Sequence, residues 1–177
     1  LMFQRYLERT GLELYPPPEG YKELFLDKLP AMHPIYGITA TLTTEILAED
    51  GAMFATQDDS VDPLTRTLFF RHHREELRHI AFGKLMVGTY LETATAAEAA
   101  QLKGFIANVV AKVVRNYLFN PELMSRLSFP LLPEGTDHDE IRMSDHNRAV
   151  NPARFPMLIS WCEAVGLTRA ESSPYFA

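Results

Sequence analysis

Residues 71–79 read RHHREELRH, with Leu77 the only apolar side chain among them. Successive residues of an α-helix turn by about 100°, so His72, Glu76 and His79 fall in one narrow sector. Leu68, Phe69, Gly83, Met86, Val87 and Tyr90 lie on or beside that sector, which marks it as the core-facing stripe. Arg71, Arg74, Glu75 and Arg78 lie on other faces, where opposite charges pair in solvent. An unpartnered carboxylate on a buried stripe is costly unless it is neutralised. Metal coordination removes that cost, and mixed imidazole and carboxylate donors suit iron, manganese or zinc. Glu76-Leu77-Arg78-His79 is the Glu-x-x-His unit by which a single helix gives a di-iron carboxylate site two ligands. His72 adds a third ligand one turn earlier.

Such a site needs a further carboxylate from the antiparallel neighbour. From Ile35 to about Ala55 the sequence has helical periodicity, and the polar TQDDSVD stretch separates it from the next helix. Folding the chain about residue 60 sets Glu45 opposite Glu76. Glu49, one turn on, is expected level with His72, either bonding a ligand imidazole through its N–H or serving as an alternative ligand. Phe69, Met86 and Tyr90 are expected to line a cavity beside the metal, with Tyr36 a further candidate. Phe82 and Val87 join Phe69 and Met86 as the apolar wall that would exclude water.

The elements that hold these residues read as all-α. A first helix over residues 1–10 closes at Gly11, and PPPEG at 16–20 breaks the chain. A short helical turn over 21–29 leads to LPAMHP. Asp62-Pro63 is a capping carboxylate followed by proline in the first helical position, and a long helix then runs to about Leu91. A buried helix spans about 95–119, with no carboxylate on its interior. Residues 129–153 read as an extended loop, in which Asp137, His138, Asp139, Glu140 and His146 match no defensible metal pattern. A last helix covers 154–165 and ends at Gly166. The whole of 1–177 is expected to form a single all-α domain or the C-terminal portion of one, organised on the helix pair at about 35–91.

Composition narrows the function further. Seventeen basic against 23 acidic residues give a net charge of −6, which leaves no basic stripe for nucleic acid. No apolar run approaches the roughly 18 residues of a membrane span. Cys162 is the single cysteine, so no intrachain disulfide forms and a reducing cytoplasm is the expected location. Beside Trp161, it reads as core packing.

Glu45, a gap of 27 residues, and then His-x-x-x-Glu-x-x-His over 72–79 resembles the second half of the di-iron arylamine N-oxygenases, the p-aminobenzoate N-oxygenase-like family. The resemblance is carried by residues 30–90. It implies a ferritin-like helical bundle with Glu45, His72, Glu76 and His79 as metal ligands. It further implies two iron ions, O2 as co-substrate, a small aromatic amine as substrate and an external electron donor. The expected reaction is N-oxygenation of that amine to hydroxylamine and nitro products. Manganese in place of iron is compatible with the donors.

The chain departs from the family pattern in one respect. It carries no second Glu-x-x-His, and His33, His138 and His146 lack a helical partner at the required spacing. The expectation is therefore the C-terminal part of a longer oxygenase, with a homodimer joining two half-sites, or a one-metal member, as the alternatives. Readings from other classes are a non-catalytic ferritin-like metal-binding protein, a metal-dependent hydrolase, and a bundle whose histidines and Glu76 form only a buried polar cluster.

Overall fold

The computed structural model describes residues 2–11, 20–120, 124–125, 132–133 and 135–176, and these form helices and no strand. Helix α1 (Met2–Thr10) ends at Gly11, whose φ of +69° is a left-handed conformation that suits glycine. The PPPEG break lies largely outside the described residues. Glu23–Lys28 is a π-helical turn followed by a 3-10 turn at Leu29–Ala31.

Both long helices begin with proline in the first position and a side-chain cap just before it. In α2 (Pro34–Gln57) the His33 ring accepts the Ile35 N–H at 3.2 Å. In α3 (Pro63–Thr93) the Asp62 carboxylate accepts the Thr65 N–H at 2.8 Å. Asp58 shapes the intervening turn by accepting the Ser60 N–H at 2.8 Å. Helix α4 (Ala96–Leu118) opens on a reciprocal capping box between Thr95 and Glu98. It buries Leu102, Ile106, Val109, Val110 and Val114 on one face, an apolar interior as expected. Among the described residues no helix is long and apolar enough to cross a membrane.

Residues 138–154 correct the expected loop. They form α5 (His138–Arg142) and α6 (Asp145–Arg154). Local caps override the polar, proline-containing composition: Asp137 accepts the Asp139 N–H at 2.8 Å, and Ser144 accepts the Asn147 N–H at 3.3 Å. Pro152 lies inside α6 and removes one intrahelical N–H···O=C bond from its last turn. Arg142, almost wholly buried, donates to the Phe119 carbonyl at 2.6 Å and ties α5 to the end of α4. The last expected helix is α7 (Pro156–Ala164), followed by the short α8 (Arg169–Ser172). Cys162 is buried on α7, where burial pushes its thiol up to about 12, in keeping with a packing role.

Helix α2 is the centre of the assembly and packs against α3, α4 and α7. It approaches α3 closely at Gly83, where an added methyl would lie 3.0 Å from Leu42 Cδ1 and 3.2 Å from Leu42 Cβ. The hold of α2 on α7 has a polar component beside the shared apolar core. Phe155 gives α7 no side-chain cap; instead the buried Asp50 accepts the N–H groups of Met157 and Leu158, both at 3.1 Å. Tyr6 and Thr65 share a hydroxyl hydrogen bond of 2.7 Å that fixes α1 to the first turn of α3.

Two stability changes follow, each read by urea unfolding. Asp50→Ala orphans two buried N–H groups and lowers stability by about 1–3 kcal/mol, with Asp50→Asn losing roughly half as much because one acceptor survives. A loss below the error of the measurement for Asp50→Ala would show that α7 does not depend on this cap. Gly83→Leu overfills the α2–α3 contact and costs about 1–3 kcal/mol; unchanged stability would mean that the helices separate freely at this point.

Candidate metal centre

One turn from the Leu42–Gly83 contact, three of the expected ligands converge from two helices. Glu45 on α2 and Glu76 and His79 on α3 each bring a donor atom within 4.8 Å of the others. His79 Nδ1 lies 3.0 Å from Glu76 Oε2 and 3.8 Å from Glu45 Oε1. His72, the fourth, approaches the other face of the same carboxylate, with Nδ1 3.4 Å from Glu76 Oε1. Glu76 is thus the middle of the arrangement, with one oxygen towards each imidazole. Its side chain is also the most enclosed of the four at 13% exposed, against 61% for His79.

Two carboxylates that share this space repel each other. Burial pushes the Glu45 carboxyl above its usual range and the Glu76 charge pushes it the same way, while His79 and His72 pull it back. A cation between the two carboxylates relieves that repulsion directly. The donor set therefore fits iron on its own chemistry: hard carboxylate oxygens with borderline imidazole nitrogens. These side chains supply one Glu and one His-x-x-x-Glu-x-x-His, half of what a di-iron carboxylate centre uses.

Three expectations about the surroundings are corrected. Glu49 does not meet His72: its carboxylate hydrogen-bonds the Nδ1 of His73. The sequence reading passed over His73, although a buried carboxylate near two consecutive histidines was a signal that either one could be its partner. The apolar wall is only partly buried. Val87 is buried, but Met86 is 37% and Phe82 60% exposed, because residues at 280–320° from His72 turn away from α2 onto the open side of α3. Phe69 is half-buried beside His72. Tyr90 lies eleven residues past His79, roughly 16 Å along the helix, and its ring packs 5.5 Å from that of His33. Tyr36 packs edge-on against Phe105 at 4.9 Å. Both tyrosines therefore belong to the packing at the other end of the helix pair.

The polar residues of 137–139 have structural partners. Asp137 caps α5, Asp139 pairs with Arg115 at 2.9 Å, and His138 packs on Phe119 at 4.4 Å. The convergence of Glu45, Glu76 and His79 on α2 and α3 thus stands apart from the other acidic clusters among the described residues.

Neither the curated proteins nor the solved structures include a match to this chain. The family described as p-aminobenzoate N-oxygenase AurF matches it over residues 1–166, well beyond the helix pair that carries the ligands. With the all-helical fold and the carboxylate–imidazole cluster both in agreement, the chain belongs to this family of di-iron N-oxygenases.

Proposed function

We propose that this protein oxygenates the nitrogen of a small aromatic amine, with Glu45, His72, Glu76 and His79 as its contribution to a di-iron centre. The observation that carries the reading is the convergence of Glu45, Glu76 and His79 from two antiparallel helices. When bound, iron supplies the activation of O2. In the first oxygenation the amine nitrogen gains one oxygen atom, and the other leaves as water with two electrons and two protons from an external donor. Further oxygenation of the hydroxylamine leads to the nitro product.

The protein's own groups set the conditions for that chemistry. Glu45 and Glu76 provide the negative charge that holds a cation, and their placement on separate helices lets each approach it from a different side. His72 and His79 add neutral donors on either side of Glu76.

Iron content by mass spectrometry, paired with an arylamine oxidation assay, tests the reading. The wild type is expected to carry iron and to form hydroxylamine and nitro products, and His72→Ala with Glu76→Ala to lose both. An iron-loaded wild type that turns over no arylamine would remove the substrate assignment, and a wild type without iron would remove the metal assignment.

Acidification supplies a second test. Ligation requires ionised Glu45, and its raised pKa means that protons compete for it at higher pH than for an ordinary glutamate at 4.5. Iron retention should therefore fall as the pH is lowered and protons compete with the cation for Glu45, and it should recover as the pH is raised. Glu45→Gln binds iron more weakly and lacks this component of the release curve. A release curve unchanged in Glu45→Gln would exclude Glu45 as the group that titrates.

A further inference from the structure

His72 and His73 are consecutive on α3, so their imidazoles leave the helix about 100° apart and only one can face the Glu45–Glu76–His79 cluster. The structure gives them different partners. His72 Nδ1 lies 3.4 Å from Glu76, whereas His73 Nδ1 is hydrogen-bonded to Glu49. Glu49 is wholly buried on α2, one turn beyond Glu45, and its second oxygen, Oε1, has no hydrogen-bond partner. Its buried carboxylate therefore relies on His73 alone among the described residues.

That dependence gives the bond its mechanical consequence. If α3 rotated so that His73 swung towards the cluster, Glu49 would be left as an uncompensated charge in the core, a costly state. Packing does not hold the ring by itself. A cleft of about 550 Å3, lined by Met53, Phe70 and Thr67, adjoins His73 and leaves it room to move. The hydrogen bond to Glu49 adds to the packing of Leu68, Ile80, Gly83 and Val87 in opposing that movement.

We propose that Glu49 sequesters His73 and, by fixing the rotation of α3 against α2, selects His72 as the imidazole presented to the metal. Glu49 and His73 are then positioning residues, neither of them a ligand. This inference rests on the metal assignment made above.

Titration of the metal-free chain with Co(II), followed by its visible absorption spectrum, separates the two. Glu49→Met and His73→Leu are each expected to weaken Co(II) binding about tenfold, in line with the loss of groups that orient ligands, and to alter the spectrum. Glu49→Gln retains an acceptor for His73 and is expected to keep the wild-type spectrum. Removing one member of a buried pair also threatens folding, but removing both is far better tolerated. The double variant Glu49→Met, His73→Leu is therefore the decisive one, with circular dichroism confirming its helices. A folded double variant with weakened binding and an altered spectrum supports the selection of His72. Wild-type affinity and spectrum in that variant would overturn it. So would binding that survives Glu49→Met but is lost in His73→Leu, since His73 would then be a ligand itself. A wild type that binds no Co(II) would overturn the metal assignment and this inference together.

Discussion

The arrangement of the site depends on how closely α2 and α3 approach each other. Helices pack with axes 8–10 Å apart according to the side chains between them, and here Leu42 rests on a glycine. Glu45 lies three residues past Leu42, and His79 lies four before Gly83. This close approach is thus one turn from the cluster. A larger residue at 83 would separate the two carboxylates from each other as well as loosening the core. The glycine costs helix propensity in the middle of a 31-residue helix, and the close approach is what it provides.

Helix α2 carries three acidic residues within six positions, and its packing gives each a different role. Asp50 points to α7 and caps two of its N–H groups, so a helix terminus stabilises its charge. Glu49 points to α3 and holds His73. Glu45, one turn earlier, meets another carboxylate. Burial pushes both Asp50 and Glu45 above the usual carboxylate range, but the opposing influences differ: two backbone N–H groups and the Lys84 charge for Asp50, and only histidines for Glu45. The first arrangement is complete within the fold, while the second invites a cation.

Local features of the fold and the clustering of Glu45, Glu76 and His79 were legible in the sequence, because short-range geometry determines them. Asp62-Pro63 starts a helix by itself, and the spacing 72, 76, 79 fixes a common face on any α-helix. Matching Glu45 to Glu76 needed only the position of the turn. What the sequence concealed was non-local or angular. Asp50 caps a helix more than 100 residues away, so no spacing in the sequence could reveal it. Choosing His73 over His72 as the partner of Glu49 depends on the relative rotation of two helices, which periodicity specifies no better than one residue. Phe82 and Met86 look like core residues by composition, yet they face the open side of α3. For α5 and α6 the signals were present in Asp137 and Ser144, but Pro152 and the polar composition around them read more strongly as a loop.

Charge supplies the remaining argument for a metal. The segment from 71 to 79 holds three arginines, and all three are exposed. Among the described residues none of them forms an ion pair with Glu45 or Glu76, and no lysine does so either. Helix α4 behind α2 buries only apolar side chains, so it contributes no compensating charge. A cluster built for structure alone would take the nearest guanidinium, because a buried carboxylate paired with arginine is satisfied at once. Here the arginines turn to solvent and the two carboxylates are left to each other and to imidazoles. That is the electrostatic deficit a bound cation would fill.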